Sequence, residues 1–452
     1  MWKTIRIEPL DPLMLRDGRP FETEPGVVAR SMDMVSSTTV AGTVRTMLGK
    51  AIAGSCSRRE IYDSDLMKKL VKSELRGPLY QLGDQLFFPF PQDVELYEEA
   101  EGIRICIRRP CSPKKTDGFL GSGRSGQFED VLCPPVMTLP ESKPLGESRR
   151  PALVSASLML SWLCGDEAAQ EAWQRALNHW CSGNKQGLEA GKPDFLAALP
   201  REVRLHTAID PVTYGPQREK LFGTESLVFP QDVSLVTRIE VQSQQLASQW
   251  PEQLSGVHPL GGERRLVHFS ELRDEGVIWS CPDQLRRTLA EEDKQKEKYI
   301  RMVLATPAYF AKGWRPGWLD DKLESTSALL NGVKLKLLWA CVPRWQPVSG
   351  WSYTPVWPSP ARAADGKKKQ EKQEKPVNGA EKAVRRLVPA GSVYFFEVME
   401  GSLSHLVEQK WLVSVSDQNR RKGSFDREDG FGLALWGRWS PNGDSGKTEG
   451  DT

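Results

Sequence analysis

Hydrophobic positions at the start of the chain follow two different periods. Residues 5–8 alternate apolar and charged side chains, which predicts a strand buried on one face, and Pro9 and Pro12 end its pairing. Apolar residues between positions 40 and 52 then recur at helical spacing, behind a run from Ser36 to Thr38 that can supply the N-cap. The chain is therefore predicted to begin as strand, long loop and helix.

The same two periods recur further along the chain. Helices are predicted from Asp166 towards Trp180 and over residues 282–304, and strands over residues 233–241, 334–342 and 392–398. Strands and helices therefore intermix in both halves of the sequence.

The length of the chain predicts more than one domain. At 452 residues it exceeds the size at which one hydrophobic core usually keeps growing, so two domains are predicted, over residues 1–220 and 221–440. Residues 104–150 are rich in Pro, Gly, Arg and Lys without either period, which predicts a basic insertion in the first domain. Residues 361–382 predict a Lys-rich mobile loop in the second domain, and residues 441–452 a disordered tail.

Composition limits the partners that this chain can have. Hydrophobic residues make up 39% and charged residues 27% of the chain, which is typical of a soluble folded protein. Its 61 Lys and Arg nearly balance its 59 Asp and Glu, so a nucleic-acid surface must be local. No secretory signal and no apolar run of membrane-spanning length are present, and a cytoplasmic protein is expected.

Signatures of the common enzyme classes are missing from the sequence. The eight cysteines include no C-x-x-C pair and the five histidines no H-E-x-x-H arrangement, so neither a metal site nor a cofactor is expected. P-loop, G-x-S-x-G and Gly-Gly-Asp-Asp signatures are also missing. GSGRSG at residues 121–126 fits G-x-G-x-x-G, but no strand precedes it, so a flexible basic loop is predicted there.

Four motifs combine glycine, arginine and aromatic residues. They are LRDGRPFE at residues 15–22, GGERR at 261–265, GWRPGW at 313–318 and GFGLALWG at 430–437, the last preceded by the basic residues 420–422. Arginine can form paired hydrogen bonds with phosphate, glycine admits a close backbone approach, and an aromatic ring can stack on a base. Alone, GGERR and GWRPGW are each more often a turn beside a solvated charge. LRDGRPFE is also compatible with an Asp-Gly turn held by an internal ion pair, and GFGLALWG with a bulged terminal strand. Together they predict a dispersed RNA-binding surface.

Taken in order, the motifs resemble a known family. LDPLMLRDGRPF, STTVAGTVRTMLG, REKLFGTESL, PLGGERR, LATPAYFAKGWRPGW, PVSGWSY, PAGSVYFF and GFGLALWGRW resemble the third subunit of Cmr, the type III-B CRISPR effector complex, from roughly residue 5 to residue 439. That family belongs to the RAMP superfamily. The resemblance therefore implies an α+β fold of two ferredoxin-like, RRM-like RAMP domains with long insertions.

The resemblance also implies a function. It implies a non-catalytic subunit that binds the repeat-derived 5′ tag of the CRISPR RNA in antiviral RNA-guided defence. The implied partners are the tag, the large polymerase-like subunit and the first backbone RAMP subunit, whose filament the chain would cap. In such complexes the backbone subunits cleave target RNA and the large subunit makes cyclic oligoadenylate.

Carried onto this sequence, the family's motifs give a set of predicted RNA-binding residues. They are Arg16, Asp17, Gly18, Arg19, Phe21, Ser37, Thr38, Arg45, Gly261, Gly262, Arg264, Arg265, Trp314, Arg420, Arg421, Gly430, Phe431 and Gly432. Arginines 16, 19 and 45 are expected to contact phosphates, the backbone near residues 430 and 432 to lie against the tag, and Phe21 or Trp314 to stack on the RNA or to support the site. The alternatives are a helix-face salt bridge for Arg45 and a core anchor for Trp314.

A projecting finger that separates tag from guide is expected in the basic insertion. Its candidate residues are Arg108, Arg109, Lys114, Lys115 and Arg124.

Two other functions remain open from the residues. Some RAMP proteins cut CRISPR precursor RNA without a metal, using His, Tyr or Lys to move the 2′-OH proton, and His206, Tyr214 and Lys220 lie close in sequence. The third possibility is a protein-binding scaffold that uses the Trp-rich segments as interface anchors.

Overall fold

A computed structural model describes most of the chain. The described residues are 1–17, 26–53, 66, 69–70, 73–99, 102–110, 132, 142–165, 167–182, 193–241, 244–273, 279–325, 328–349, 351–352, 380–381, 384–417 and 429–441.

Strands outnumber helices among these residues. The helices are α1 (Ser37–Ala53), α2 (Ala156–Cys164), α3 (Glu167–Cys181), α4 (Gln244–Ser248), α5 (Asp283–Glu292) and α6 (Leu403–Lys410), with a 3₁₀ turn at Ala328–Leu330. The strands are β1 (Trp2–Pro9), β2 (Val28–Ala29), β3 (Leu75–Leu82), β4 (Gln85–Pro89), β5 (Val94–Glu99), β6 (Gly102–Ile107), β7 (Leu153–Ser155), β8 (Phe195–Leu196), β9 (Arg201–Ile209), β10 (Pro216–Leu227), β11 (Val233–Glu240), β12 (Ser255–Pro259), β13 (Leu266–Leu272), β14 (Tyr299–Leu304), β15 (Lys334–Cys341), β16 (Gln346–Val348), β17 (Trp351–Ser352), β18 (Ala380–Glu381), β19 (Arg385–Leu387), β20 (Val393–Glu400), β21 (Val413–Ser414) and β22 (Leu433–Arg438).

The first large sheet has eight strands in the order β12-β13-β1-β11-β3-β4-β7-β8. Both β1 and β3 pair antiparallel with β11, so they run in the same direction and α1 crosses over between them. Ile5 and Ile7 of β1 are fully buried and belong to one core with Val40 and Val44 of α1. The opening strand and helix predicted from the hydrophobic periods are therefore confirmed.

The second large sheet has five strands in the order β15-β20-β14-β22-β21. Both β20 and β22 pair antiparallel with β14, and α6 crosses over between them. Counted in chain order, β1, β3, β11 and β13 of the first sheet and β14, β15, β20 and β22 of the second have the same arrangement, in which the first strand lies between the third and the fourth. Both large sheets are antiparallel, which confirms a mixed fold of strands and few helices.

A buried ion pair joins the two sheets. Arg301 on β14 lies 3.1 Å from the carboxylate of Asp93, which follows β4, and its guanidinium also donates to the Trp162 carbonyl oxygen and lies 4.8 Å from the centre of the Trp162 ring. Burial raises the pKa of the Asp93 carboxyl, an effect that Arg301 opposes. Burial also lowers the pKa of Arg301 to about 10, which leaves its guanidinium charged at neutral pH.

The helix predicted over residues 282–304 is wrong in its second half. Helix α5 ends at Glu292 and β14 occupies Tyr299–Leu304. Leu285 and Leu289 are the buried residues of the helix, whereas every residue of β14 after Tyr299 is buried because the strand lies inside its sheet. A short, continuously apolar run fits a central strand as well as a buried helix, and the sequence period did not separate them.

The predicted domain boundary also differs from the division between the sheets. Residues 220 and 221 lie inside β10, and strands as late as β13 belong to the first sheet. The physical reason is that β11 fills the position between β1 and β3, so the first sheet needs residues up to Leu272.

The predicted insertions are only partly described. Residues 104–107 of the basic insertion lie in β6, which pairs with β5. The Lys-rich loop and the tail lie outside the described residues, apart from β18 and Pro441. Within the described part of the chain, no helix combines the length and apolar character that crossing a membrane requires.

Candidate nucleic-acid interface

Met14, just before the Arg-Asp-Gly-Arg segment, lies beside the Gly-Gly-Glu loop although the two are far apart in sequence. The Gly262 N–H donates to the Met14 carbonyl oxygen over 2.7 Å. Gly261 has a φ of +81°, and a Cβ there would stand 2.5 Å from the same oxygen, so a larger residue does not fit. Glu263 and Arg264 continue in the left-handed region, with φ of 53° and 54°, and Arg264 is exposed.

Residues 30 and 31 border the same segment on its other side. The Leu15 N–H donates to the Ser31 hydroxyl over 3.0 Å, and the Asp17 N–H donates to the Arg30 carbonyl oxygen over 3.0 Å. Leu15 and Ser31 are buried, which fixes the backbone, while the side chains of Arg16 and Arg30 are exposed. Arg16 and Arg30 therefore reach solvent from two paired segments with a rigid backbone.

The hairpin of β9 and β10 carries apolar side chains into solvent. Leu205 on β9 is 71% exposed, and Val212 and Tyr214 at the tip are 83% and 82% exposed. The tip is an ordered turn, because the Asp210 carboxylate accepts the Val212 N–H over 2.8 Å and the Tyr214 N–H donates to the Asp210 carbonyl oxygen over 2.8 Å. Exposed apolar side chains on an ordered hairpin indicate a contact surface. We call Arg16, Arg30, the β9–β10 hairpin and Gly261–Arg265 the outer face.

Several arginines of the outer face are neutralised by carboxylates. Arg201 pairs with Asp33 and Glu225, Arg204 with Glu202, and Arg265 with Glu263. The hydrogen bond from Arg204 lowers the pKa of the exposed Glu202 carboxyl. Within the residues that the structure describes, Arg30 and Arg264 have no carboxylate partner. These two guanidiniums are therefore available to an anionic ligand.

The glycine-rich loop at residues 430–432 is interior. The carbonyl oxygen of Gly430 accepts hydrogen bonds from the Ser37 hydroxyl over 3.3 Å and the Thr306 hydroxyl over 2.7 Å. Gly430 has a φ of +90°, and a Cβ there would lie 2.2 Å from the Gly77 carbonyl oxygen. The loop thus packs between the start of α1, β3 and the second sheet. Thr38 follows at the half-buried start of the helix.

The residues after Gly430 are equally enclosed. A Cβ on Gly432 would lie 2.3 Å from the Ser416 hydroxyl oxygen. Phe431 is fully buried and shares a small apolar cluster with Leu387 of β19 and with Met32, which follows the outer-face segment. Both glycines approach the protein's own atoms, and contact of their backbone with RNA stays a prediction.

Arg45 is also used inside the protein. Its Nε donates to the Leu70 carbonyl oxygen over 3.1 Å, one Nη donates to the Ser73 carbonyl oxygen over 2.8 Å, and the other pairs with the Asp429 carboxylate. The side chain is buried, so the geometry favours the ion-pair alternative over a phosphate contact. We call Arg45, the Asp93–Arg301 pair and Gly430–Gly432 the central joint.

The two tryptophans of GWRPGW have different surroundings. Trp318 is buried, and its indole N–H donates to the Val415 carbonyl oxygen over 3.1 Å, as a core anchor does. Trp314 is 37% exposed, while its carbonyl oxygen accepts the hydroxyl of buried Tyr394 over 2.6 Å. Trp314 therefore presents its ring at the surface from a fixed backbone position.

The three residues of the catalytic alternative lie at different positions along the β9–β10 hairpin. The His206 Nε2 lies 2.8 Å from the Thr224 hydroxyl, and its ring stacks on Phe222 with centroids 5.2 Å apart. Tyr214 belongs to the hairpin tip, beyond the last paired residue of β9, and Lys220 is exposed on β10. Among the described residues no three His, Cys, Asp or Glu side chains come together as metal ligands.

Some predicted residues lie outside the described part of the chain. These are Gly18, Arg19, Phe21, Arg420 and Arg421, together with the finger candidates Lys114, Lys115 and Arg124. Arg108 is described and pairs with Glu95 beside β5. Residues 111–131 and 133–141 of the insertion lie outside the described residues, so the finger stays a prediction.

Sequence reasoning missed Arg30 and the hairpin. The signal for the hairpin was present, because residues 201–209 and 216–227 flank a turn sequence, DPVTYG. The same stretch was interpreted as a cluster of possible catalytic groups. Arg30 carried no distinguishing signal, since its position beside Arg16 depends on the pairing of Ser31 with Leu15.

Three solved structures of type III CRISPR complexes contain chains that align with this chain. A chain of the type III-B Cmr-beta complex bound to cognate target RNA and AMPPnP is 14% identical, with a TM-score of 0.42, and the match covers 87% of this chain and 86% of that chain. A chain of the same kind of complex bound to cognate target RNA gives 14% identity and a TM-score of 0.39, with the same coverage. A chain of the Csm3-Csm4 subcomplex of a type III-A complex is 9% identical, with a TM-score of 0.36, over 97% of this chain and 100% of that chain.

The family match covers almost the whole chain. No curated protein sequence matches this chain. The family described as CRISPR-associated protein (Cas_Cmr3) matches residues 5–439, so the chain belongs to this family of Cmr subunits, as its motifs predicted.

Proposed function

We propose that the chain is a non-catalytic subunit that binds the 5′ tag of the CRISPR RNA and caps the backbone filament of a type III-B complex. The observation that carries the proposal is the junction of two distant motifs, where Gly262 donates to Met14 over 2.7 Å and exposed arginines flank the contact. Arg30 and Arg264 supply charge there without a described carboxylate partner. Phosphate contacts of this kind position a nucleic acid without reading its sequence.

The strand arrangement supports two ferredoxin-like domains. In each large sheet four strands follow the chain order strand, crossover, strand, strand, crossover, strand, with the first strand between the third and fourth. This is the order that a β-α-β-β-α-β unit requires, although the first crossover of the second unit is not an α-helix in the described residues. RAMP domains of this kind are what the family membership implies.

The β9–β10 hairpin is the best candidate for the finger between tag and guide. His206 of the hairpin lies 3.9 Å from the carboxylate of Glu263, the residue before Arg264, and the hairpin tip exposes Val212 and Tyr214 on an ordered turn. Apolar and aromatic side chains can be inserted between bases that a single strand leaves unstacked. The large polymerase-like subunit and the first backbone subunit are the proposed protein neighbours.

One titration tests the function. The purified chain, with and without the large subunit, is titrated with labelled CRISPR RNA that bears or lacks the 5′ tag, and the RNA is then examined for cleavage. Tag-dependent binding without cleavage is expected. If the protein cleaves precursor RNA and the His206→Ala variant does not, the chain is a nuclease instead. If RNA binding is absent or does not depend on the tag, the scaffold function is favoured.

A further inference from the structure

A pocket with three tryptophans opens beside the Trp314 loop. It has a volume of about 460 Å³ and is lined by Trp314, Trp339, Trp345, Arg344, Arg386 and neighbouring apolar residues, with no acidic residue among them. Trp314 and Trp345 are 37% and 43% exposed, so two indole rings meet solvent at its rim. The volume lies within the range of small-ligand sites, roughly 300–1,000 Å³.

The walls of the pocket are held in place by the fold. The Trp314 backbone is fixed by the Tyr394 hydroxyl at 2.6 Å, and the Asp417 carboxylate accepts the Ala311 N–H over 2.8 Å and the Gly317 N–H over 3.0 Å. On the opposite wall Arg386 of β19 lies with its guanidinium 4.7 Å from the centre of the Trp345 ring. A ligand would therefore enter a site that is already formed, which lowers the entropic cost of binding.

The charge of the pocket is positive. In the part of the chain that the structure describes, Arg344 and Arg386 have no carboxylate partner, whereas the adjacent Arg315 lies 3.3 Å from Asp321. Unpaired guanidiniums next to flat aromatic rings match a ligand that is both aromatic and anionic. An unpaired nucleotide has this chemistry, because its base stacks on indole rings and its phosphate pairs with arginine.

One small cluster of packed side chains links the pocket to the proposed RNA surface. Leu387 lines it and also packs in one cluster with Phe431 and Met32, and the Met32 N–H donates to the Leu15 carbonyl oxygen over 2.8 Å beside Arg16. A path of packed side chains thus leads from the outer face to the pocket. An apolar peptide side chain would fill the indole pocket but leave two guanidiniums without an anionic partner.

We propose that this pocket binds one unpaired nucleotide of single-stranded RNA, with the base against Trp314 or Trp345 and the phosphate at Arg386 or Arg344. This proposal rests on the proposed RNA-binding function and assigns to it a site that the family motifs alone do not define. The site selects for an unstacked base next to a phosphate and not for a base sequence, because indole faces accept every base.

The test compares pocket variants of the full chain. Labelled tagged CRISPR RNA and a labelled oligouridylate of equal length are titrated into the wild type, Trp314→Ala, Trp314→Phe and Arg386→Ala, with and without the large subunit. Trp314→Ala is expected to weaken the binding of both RNAs about tenfold, as the loss of one stacked base does, and Trp314→Phe to restore most of it. Arg386→Ala is expected to lower the slope of log affinity against log salt by about 0.7, as one lost phosphate contact on a single strand does.

Controls and outcomes separate the two proposals. Arg287→Ala removes an exposed charge from α5 as a matched control, and thermal unfolding confirms that the pocket variants fold. If binding depends on the tag and no pocket variant changes it, the pocket proposal is overturned and the proposed function stands. Pocket-dependent binding of both RNAs without preference for the tag would support the pocket and overturn tag recognition. If the wild-type protein binds neither RNA, both the pocket proposal and the proposed function are overturned. If the pocket variants lose binding to the large subunit but keep RNA binding, the pocket binds a protein and the pocket proposal is overturned.

Discussion

The central joint and the outer face use similar glycines for opposite purposes. Gly430 and Gly261 have φ of +90° and +81°, and a Cβ on them would lie 2.2 Å and 2.5 Å from a backbone carbonyl oxygen. Gly430 is followed by buried Phe431, whereas Gly261 is followed within three residues by exposed Arg264. A glycine motif therefore indicates that another group lies close to the backbone. The exposure of the neighbouring side chains determines whether a ligand can bind there.

The two regions should respond differently to substitution. In the central joint, Arg45 and Arg301 pair with carboxylates inside the protein and the Gly430 carbonyl oxygen accepts internal hydrogen bonds, so substitutions change the free energy of unfolding. On the outer face, exposed side chains contribute little to folding, so substitutions change RNA affinity and its dependence on salt. The comparison fails if variants of the central joint change only RNA affinity, or if variants of the outer face change mainly the free energy of unfolding.

The largest effect is expected at the buried ion pair. Asp93→Ala leaves Arg301 buried without its carboxylate and should lower the free energy of unfolding by about 3–5 kcal/mol. Urea unfolding followed by fluorescence measures the change. The double variant Asp93→Leu with Arg301→Met is the control, because replacing both charges by apolar side chains removes the unpaired charge and should recover most of the stability. Equal losses in the single and double variants would show that packing, and not the unpaired charge, sets the effect.

The next effect is expected at the glycine of the central joint. Gly430→Ala places a Cβ against the Gly77 carbonyl oxygen at a positive φ, and the clash and the strain together should destabilise the protein by about 2–4 kcal/mol. Gly332→Ala is the matched control, because Gly332 has a φ of +81° with nothing within 4 Å of its Cβ position. The control should lose only about 1–2 kcal/mol for the left-handed conformation. Thermal unfolding of both variants decides whether the close approach matters beyond the backbone angle.

Elements that are buried on one side could be predicted from the sequence, because their hydrophobic residues recur with the period of a strand or a helix. The alternation at Ile5 and Ile7 and the helical spacing through Val40 and Val44 both predicted their elements correctly. The period failed at Tyr299–Leu304, where the strand is covered on both faces and alternation disappears. The division between the two sheets was equally hidden, since it depends on the pairing of β11 with β1 and β3.

The candidate site was harder to predict because its parts meet only in three dimensions. The motifs that contain Arg16 and Gly262 were identified from composition, and the backbone contact between their segments supports grouping them. Composition did not show that Arg45 is enclosed by Leu70, Ser73 and Asp429, because those partners come from two segments that are distant from Arg45 in sequence. Burial of a charged residue depends on the fold around it and leaves no local signal.

A smaller effect is expected from the arginines of the outer face. Arg30→Ala and Arg264→Ala should each weaken binding of tagged RNA several-fold and lower the slope of log affinity against log salt by about 0.7, because each removes one phosphate contact. The free energy of unfolding should change by no more than about 0.5 kcal/mol, since both side chains are exposed. Arg287→Ala on α5 is the matched control for the loss of one charge. Equal weakening in all three variants would indicate a general effect of net charge and not a local RNA site.

The smallest change in affinity is expected at the tip of the hairpin. Tyr214→Ser removes an aromatic ring that is 82% exposed, so it should change the free energy of unfolding by no more than about 0.5 kcal/mol. If the hairpin separates tag from guide, tag affinity stays close to that of the wild type while the boundary between nuclease-protected and nuclease-sensitive RNA shifts. Nuclease footprinting of the bound RNA measures that boundary. Val257→Ser on β12 removes another exposed apolar side chain and should leave the boundary unchanged, and a shift of equal size in this control would contradict the role of the finger.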